Sequence, residues 1–230
     1  MNQLVATAII LSRTNYGEAD RILTVITPEY GKLRLLAKGV RRVKSKLAGG
    51  IELFSTSEIT FIKGRGEIGT LVSARLGNFY SHIAKHLDRT MLGYGLIKLL
   101  HKATEDEAEP EYFEALKQAF EALDNPAIPL VLIKCWFAAQ LLRLGGHTPN
   151  LQFDTDGKPL EATETYSFDF DSIALAPSPR GQLHAAEIKF LRLLFAGTQP
   201  KVLAAVQGNE GLLTKIAPLV EALLKTHAGL

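Results

Sequence analysis

Cysteine is almost absent from this chain, because Cys135 is the only one among 230 residues. A lone thiol excludes a disulfide within the chain and any zinc site built from several thiolates, and it suits a reducing cytoplasm. Long apolar runs are also missing, since the most apolar stretch, residues 128–144, contains Lys134, Gln140 and Arg143. The first residues show no basic and apolar leader pattern. We therefore expect a cytoplasmic protein with no membrane span, no metal and no cofactor.

The chain as a whole has almost no excess of charge of either sign, but its two segments do. The 26 Lys and Arg nearly balance the 24 Asp and Glu, which leaves a net charge of +2. Residues 1–80 hold 12 basic and 6 acidic side chains, a net charge of +6, and the rest of the chain carries −4. A role with nucleic acid must therefore rest on where the cations lie.

Short runs of alternating apolar residues, rich in β-branched and aromatic types, dominate residues up to about 77. They predict five strands, at residues 5–11, 21–27, 33–40, 58–63 and 70–76. Pro28-Glu29-Tyr30-Gly31 and Gly64-Arg65-Gly66 supply the turn residues for hairpins between the second and third and between the fourth and fifth strands. Five short antiparallel strands in about 80 residues indicate a small barrel of the OB type.

The apolar spacing changes to three and four residues beyond Phe79, so we place a domain boundary near residue 78. Phe79, Ile83, Leu87, Met91 and Tyr94 form one stripe, which predicts a helix packed through that face. Further helices are predicted at residues 110–123, 129–144, 184–196, 201–206 and 211–226, and the second of these is apolar on most sides and therefore central. Residues 147–182 lose this spacing and predict a small β-like insertion, with one strand near residues 166–170. The expected fold is α+β, with an OB domain at residues 1–78 and a helical domain at residues 79–230.

The densest run of cations lies between residues 32 and 46, where seven of fifteen residues are basic and none is acidic. They are Lys32, Arg34, Lys38, Arg41, Arg42, Lys44 and Lys46. Arg34 and Lys38 share strand parity, so they would emerge on one face about 13 Å apart, comparable to two phosphate spacings along an extended strand. Such a run is more often only a solvated surface, but the lack of acids and the position on a barrel favour phosphate binding.

Aromatic side chains that stack on bases would strengthen a role with single strands. The candidates in the first domain are Tyr16, Tyr30, Phe54, Phe61 and Phe79. Phe54 and Phe61 stand in apolar alternation and are typical of a core. Tyr16 and Tyr30 stand near turns, where a ring is more open to a base.

Patterns that support catalysis are weak. Gly64-Arg65-Gly66 lacks the third glycine of a dinucleotide site, and no G-x-x-x-x-G-K-[ST] loop occurs. His82 and His86 have a spacing that suits a metal on a helix, but no third ligand is identifiable, which favours two surface histidines. Asp154-Thr155-Asp156-Gly157 is typical of a β-turn rather than of a calcium loop. We expect no enzyme and no catalytic residue.

One stretch resembles a known family. Residues 33–42 read Leu-Arg-Leu-Leu-Ala-Lys-Gly-Val-Arg-Arg, which is similar to the RecO signature of an arginine, apolar residues, alanine-lysine-glycine and a further arginine. Residues 16–27 resemble the opening hairpin of that family, and residues 64–74 resemble its fourth-to-fifth strand turn. Residues 146–151 resemble its glycine-tyrosine-alanine-proline stretch. The strong match covers roughly residues 8–77.

The resemblance implies an OB barrel, a helical domain and a mediator of DNA repair and homologous recombination. Such a protein binds single- and double-stranded DNA, anneals complementary strands, and helps RecR to load RecA recombinase onto strands coated by single-strand-binding protein, in a cytoplasm where it associates with the nucleoid. Carried over to this chain, the expected DNA contacts are Arg34, Lys38, Arg41, Arg42, Lys44 and Lys46, with Arg65 in second place.

The resemblance also implies a site for the acidic tail of single-strand-binding protein. Lys134 and Arg143, near Trp136, Leu141 and Leu142, have suitable side chains, although both cations could equally be the exposed ends of a buried helix. Many family members carry a four-cysteine zinc module after the glycine-proline stretch, but residues 150–182 contain no cysteine here. We therefore expect packing among Phe153, Tyr166, Phe168 and Phe170 to hold that insertion together.

Two alternatives stay open at this point. The same basic barrel would serve an OB protein that binds ribosomal or transfer RNA. A nuclease that uses carboxylates and magnesium is a third class, but Glu18, Asp20 and Glu67 form no recognisable cluster in the sequence.

Overall fold

The computed structural model describes residues 2–64, 66–104 and 108–229. The chain folds into two compact units, Met1–Asn125 and Pro126–Leu230. The five strands predicted for the barrel lie in the first unit, whose described residues also form three helices. The predicted boundary near residue 78 falls inside the first unit, at the change from strands to helices, and stays a prediction about domains.

Five strands close into a barrel in the order β1-β2-β3-β5-β4. Their bounds are β1 Gln3–Tyr16, β2 Asp20–Thr27, β3 Gly31–Ala37, β4 Ser55–Ile62 and β5 Ile68–Phe79. The barrel closes because β4 pairs with β1, and β3 pairs with β5 in parallel through residues 34–36 and 68–70. The predicted OB-type sheet is confirmed, with β1 and β5 longer than predicted and β3 ending earlier, at Ala37.

The turn between β2 and β3 forms where the sequence predicts it. Thr27 is buried, its hydroxyl accepts a hydrogen bond from the Tyr30 backbone amide at 3.0 Å, and Gly31 adopts a left-handed φ of 63°. A residue with a Cβ is strained at such a φ, so glycine fits this corner. The turn sets the register in which Thr24 faces Arg34 and Ile22 faces Leu36.

Successive side chains of each strand point to opposite faces of the sheet, so every second one lies inside the barrel. Its core consists of Ala6, Ala8, Ile10, Leu23, Val25, Leu35, Ala37, Val40, Ile51, Ile59, Phe61 and Leu71. A 3-10 turn at Ala48–Gly50 packs against β5, where a Cβ on Gly50 would clash with the Ala74 carbonyl oxygen. Only glycine therefore allows the turn to approach β5 this closely.

The described part of the first unit also contains the helices α1 Ser81–Lys85, α2 Leu87–Ala103 and α3 Pro110–Asp124. The predicted apolar stripe is wrong, because Leu87, Met91 and Tyr94 are exposed. The chain is extended at His86, between α1 and α2, so the helical phase is not continuous across that residue. The buried side of α2 is instead formed by residues such as Leu96, Ile97 and Leu100.

The second unit is built around the helix that the sequence marks as central, α4 Leu130–Leu144. It contacts the later helices α5 Ala185–Phe195, α6 Pro200–Ala204 and α7 Asn209–Ala228. Ten of its residues are buried, and the Trp136 indole N–H donates to the Thr198 carbonyl oxygen at 2.9 Å. The predicted helices of this unit are confirmed.

The predicted insertion contains a three-stranded sheet in the order β6-β8-β7, with β6 Asn150–Asp154, β7 Tyr166–Asp169 and β8 Ala174–Pro177. Tyr166 is buried, and the rings of Phe168 and Phe170 meet edge to face with centroids 5.1 Å apart. Phe153 is 44% exposed, so its predicted packing role is wrong. The Asp154 carboxylate accepts hydrogen bonds from the Asp156 and Lys158 amides, which confirms a turn there.

The described residues hold neither a cluster of metal ligands nor a membrane-spanning helix. No three His, Cys, Asp or Glu side chains in this part of the chain gather as metal ligands would. None of the helices described there combines the length and the apolar character that crossing a membrane requires.

Candidate nucleic-acid interface

The predicted DNA contacts concentrate in a surface loop, the basic loop, which we define as residues 38–47 between β3 and the 3-10 turn. Its five cations are Lys38, Arg41, Arg42, Lys44 and Lys46, and all five are exposed. Among the described residues, no carboxylate lies within ion-pair distance of any of them. Like charges held this closely repel one another, so a polyanion that neutralises them binds favourably.

Backbone hydrogen bonds fix the basic loop against the turn between β1 and β2. The Asp20 carboxylate accepts from the Gly39 amide at 2.7 Å, and the Ala19 carbonyl oxygen accepts from the Arg41 amide at 2.9 Å. The Arg41 guanidinium also donates to the Gly17 carbonyl oxygen at 3.4 Å. In OB folds the β1–β2 loop flanks the face of strands 2 and 3 where oligonucleotides bind. The anchored loop therefore places its cations at one rim of that face.

The predicted shared strand face of Arg34 and Lys38 is wrong. The strand β3 ends at Ala37, and Lys38 lies in the turn that follows, so strand parity does not set its direction. Arg34 does lie on β3, with Thr24 of β2 and Ile68 of β5 beside it in the sheet. It is exposed, and its guanidinium lies 3.7 Å from the Glu67 carboxylate.

Lys32, the first cation of the run, has a structural role. Its ammonium donates to the carbonyl oxygens of His101 and Thr104, at the C-terminal end of α2. Those carbonyls have no partner within the helix and carry partial negative charge, so a cation stabilises them. Lys32 therefore joins β3 to α2 inside the first unit.

A second group of cations, Arg34 and Lys63, lies beside the first half of β3. The parallel pairing of β3 with β5 places the β4–β5 turn beside the start of β3, and the Lys63 ammonium lies 5.2 Å from the centre of the Tyr30 ring. Arg34, Lys63 and the glycines Gly64, Gly66 and Gly69 line a cavity of about 190 Å³ there. Lys63 was missed in the sequence, although it adjoins the predicted turn. Arg65 lies outside the described residues.

The side chains between these two groups are suited to bases rather than to phosphates. Ile22, Thr24 and Leu36 face outward on β2 and β3 and are half-buried. Arg34 and Ala37 are three residues apart on β3, which is about 10 Å of strand. A single strand that crosses this face therefore reaches cations at both ends.

The aromatic candidates divide between core and surface. Phe54 and Phe61 are buried, as predicted, and the Tyr30 ring packs edge-on against Phe61 with centroids 5.4 Å apart. Tyr30 is therefore held in place rather than free to stack. Tyr16 is 55% exposed at the end of β1 next to the β1–β2 turn, and Phe79 is 41% exposed at the end of β5. Tyr16 is the exposed ring nearest in sequence to the anchored loop.

Comparison with known proteins identifies the family. Residues 1–80 match the family model described as "Recombination protein O N terminal", and residues 85–230 match "Recombination protein O C terminal". The chain belongs to the RecO family. The predicted resemblance is thereby confirmed, and the first model ends where the strands end.

Curated relatives carry the name "DNA repair protein RecO". The one from Dehalococcoides mccartyi strain CBDB1 is 35% identical over 161 residues, which is 69% of this chain and 63% of the relative. The one from Desulfitobacterium hafniense strain DCB-2 is 32% identical over 149 residues, 64% of this chain and 53% of the relative. The one from Listeria monocytogenes strain HCC23 is 28% identical over 197 residues, which is 81% of this chain and 75% of the relative. The match to the Dehalococcoides relative spans about three fifths of its length.

The RecO family resemblance implied a partner site at Lys134 and Arg143, and the structure does not bring the two together. They are nine residues apart on α4, about two and a half turns, so they emerge on opposite sides of the helix. Trp136, Leu141 and Leu142 are buried in the unit's core. The partner role of these residues therefore stays a prediction, and each cation would have to act in a separate contact.

Each of these two cations has a neighbour within the unit. The Lys134 ammonium lies 3.1 Å from the Glu221 carboxylate, and the Arg143 guanidinium donates to the Gln140 side chain at 3.2 Å. The hydrogen bond from Lys134, followed by that from Lys225, holds the pKa of Glu221 below its usual value. A carboxylate from a partner would compete with Glu221 for Lys134.

Glu67 is an internal competitor for Arg34, and its neutralisation is expected to strengthen binding to oligonucleotides. Glu67→Gln removes the charge that competes for Arg34, so it should tighten binding about two- to four-fold. An exposed pair of this kind contributes little to stability, so the melting temperature should not change. Fluorescence anisotropy with a labelled single strand measures the change. Glu58→Gln is the matched control, because it breaks the exposed Arg75–Glu58 pair, 3.1 Å long, on β4 and β5. Equal tightening in both variants would contradict a specific role for Arg34.

Proposed function

We propose that this chain is a non-enzymatic DNA repair protein that mediates homologous recombination. It binds single- and double-stranded DNA through the basic loop and the outer face of β2 and β3. It anneals complementary strands and helps RecR to load RecA recombinase onto strands coated by single-strand-binding protein, in the cytoplasm at the nucleoid. The observation that carries the proposal is the anchored loop of five exposed cations, none with a carboxylate partner among the described residues, on an OB barrel of the RecO family.

Phosphate contact accounts for binding to both forms of DNA. The cations of the basic loop lie on a surface rather than in a closed groove, and Lys and Arg side chains contact phosphates without reading the bases. Single and double strands both present phosphates, so the same loop serves both. Because the contacts carry no base information, sequence preference should be weak.

Strand annealing follows from the same electrostatics. Two complementary strands repel each other through their phosphates until they pair, and bound cations reduce that repulsion. An anchored loop of exposed cations can hold one strand while its bases stay open to the other. No phosphate loop of the G-x-x-x-x-G-K-[ST] type occurs in the sequence, which supports annealing that needs no ATP.

The partners RecR and single-strand-binding protein enter the proposal through the family. Lys134 and Arg143 are the residues we propose for the acidic tail of single-strand-binding protein. Because they lie on opposite sides of α4, the tail would use one of them, and Lys134 would have to exchange Glu221 for the tail's carboxylate. Lys134→Glu should therefore weaken the binding of a tail peptide. Identical affinities of the wild type and the variant for that peptide would contradict this part of the proposal.

An annealing assay tests the proposed function. Two complementary strands, each precoated by the cognate single-strand-binding protein, are mixed with the chain in the absence of ATP, and duplex formation is followed by energy transfer between end labels. We expect the protein to accelerate annealing and the Arg41→Glu/Arg42→Glu variant to lose that acceleration. Binding without acceleration would reduce the proposal to a plain DNA-binding protein.

A competition experiment separates DNA from RNA. A labelled single-stranded DNA is displaced from the protein by unlabelled DNA or RNA of equal length and sequence. We expect DNA to compete at least as well as RNA. Displacement by RNA at several-fold lower concentrations would favour an RNA-binding OB protein instead.

A further inference from the structure

The tip of the basic loop carries an aliphatic side chain with no place in the barrel. Val43 is 104% exposed, more than any other large apolar side chain in the described part of the chain. The loop has two other aliphatic residues, and both pack on the barrel: Val40 belongs to its core and Leu47 contacts it. Isolated exposed apolar side chains are common, so exposure alone does not imply a function.

The local backbone presents Val43 outward. The Ser45 amide donates to the Arg42 carbonyl oxygen at 3.0 Å, which closes a turn with Val43 and Lys44 at its two corners. The Arg42 amide donates to the Gly39 carbonyl oxygen at 3.1 Å and closes the turn before it. Two successive turns, anchored on the β1–β2 turn through Arg41, hold the tip away from the barrel. Folding therefore gives no reason for a branched aliphatic side chain at this corner.

The cations around Val43 determine which groups of a bound molecule lie next to it. Arg41 and Arg42 precede it, Lys44 and Lys46 follow it, and all four are exposed. A nucleic acid held by these cations places phosphates on both sides of the tip. In a single strand the bases between those phosphates are only partly stacked, so a protein side chain can reach their apolar faces. In a duplex the same faces are stacked inside the helix, so the tip meets only sugars, phosphates and groove edges.

We propose that Val43 is the residue through which the basic loop contacts unstacked bases and distinguishes single-stranded from double-stranded DNA. This inference rests on the proposed function, because it needs a nucleic acid on the basic loop. The cations bind both forms of DNA, and the valine adds an apolar contact that only the single strand offers. It is a specificity-determining residue rather than a general DNA contact.

The test replaces the aliphatic surface while keeping the shape. Val43→Thr preserves the branched side chain and the charge of the loop, and it should weaken binding to single strands about three- to ten-fold. Binding to a duplex of the same length should change by less than about two-fold. Val43→Leu keeps the apolar surface and should retain single-strand affinity. Val5→Thr is the matched control, because Val5 is also exposed, at 56%, but lies on β1.

A second readout reports on the bases directly. A strand that contains 2-aminopurine fluoresces more strongly when the base loses its stacked neighbours, so saturating wild-type protein should raise its emission. The Val43→Thr variant, at saturation, should raise it less. Equal loss of affinity for single strands and duplexes, or no loss for either, would overturn the inference. If the Arg41→Glu/Arg42→Glu variant also bound single strands and duplexes as tightly as the wild type, the proposed function itself would fail. This second variant therefore distinguishes failure of the inference about Val43 from failure of the proposed function.

Discussion

Reversing Arg41 and Arg42 together to Glu is expected to weaken binding to single-stranded oligonucleotides about 100-fold at about 100 mM salt. Each contact between a charged donor and a phosphate contributes about 1.5 kcal/mol, so the loss of two gives about 3 kcal/mol. The loss should be similar for all sequences, because phosphate contacts carry no base information. Fluorescence anisotropy with several labelled oligonucleotides measures it.

The control for this variant must change the net charge equally. Lys189→Glu/Lys201→Glu does so in the second unit, where both lysines are exposed on helices α5 and α6. We expect it to weaken binding by only a few-fold, through long-range electrostatics. Circular dichroism spectra should be unchanged in both variants, since the Arg41 and Arg42 side chains are exposed. Equal weakening in the two double variants would contradict a local contact at the basic loop.

Raising the salt concentration from 50 to 200 mM is expected to weaken binding to single strands a few hundred-fold. Six cations are assigned to phosphates: Arg34, Lys38, Arg41, Arg42, Lys44 and Lys46. Six contacts on a single strand predict a slope near −4 for the logarithm of the binding constant against that of the salt concentration. Titrations at four or more salt concentrations measure the slope.

The slope also tests which cations take part. Lys32 is excluded from the count because it binds the carbonyl oxygens of His101 and Thr104. Arg34 is paired with Glu67 and must exchange that carboxylate for a phosphate. Five contacts predict a slope near −3.5, which would indicate that Arg34 stays with Glu67. A slope near zero would contradict electrostatic binding altogether.

Local sequence patterns predicted most of the barrel. Alternation sets which side chains enter the core, and Thr27, Tyr30 and Gly31 form the β2–β3 turn that fixes the register. These features depend on residues close together in the chain, so the pattern contains the necessary information. The helices α3 and α4 were predicted for the same reason, since Pro110 begins one and Gly145 ends the other.

The wrong predictions depend on events that local patterns do not report. The apolar stripe from Phe79 to Tyr94 assumed one continuous helix, whereas the chain is extended at His86 and the buried face of α2 follows from its packing. A strand predicted to run through residue 40 puts Lys38 on a strand face, but β3 ends at Ala37 and a turn begins. In both cases the end of an element decided the direction of a side chain.

The candidate site was only partly predictable for a similar reason. The cation run is visible in the sequence. Its anchoring by Asp20 and Ala19, and the hydrogen bond of Lys32 to the Thr104 carbonyl oxygen, depend on residues distant in the chain. Val43 stands out only once its exposure is known, because an alternating pattern does not separate a loop tip from a core residue.

The measurement that tests the central claim most directly compares the salt dependence of the wild type with that of the Arg41→Glu/Arg42→Glu variant on the same single strand. If the basic loop is the phosphate-binding site, removing two contacts should reduce the magnitude of the slope by about 1.4, from about 4 to below 3. Equal slopes for the two proteins would contradict this account and place the nucleic-acid contacts elsewhere on the chain.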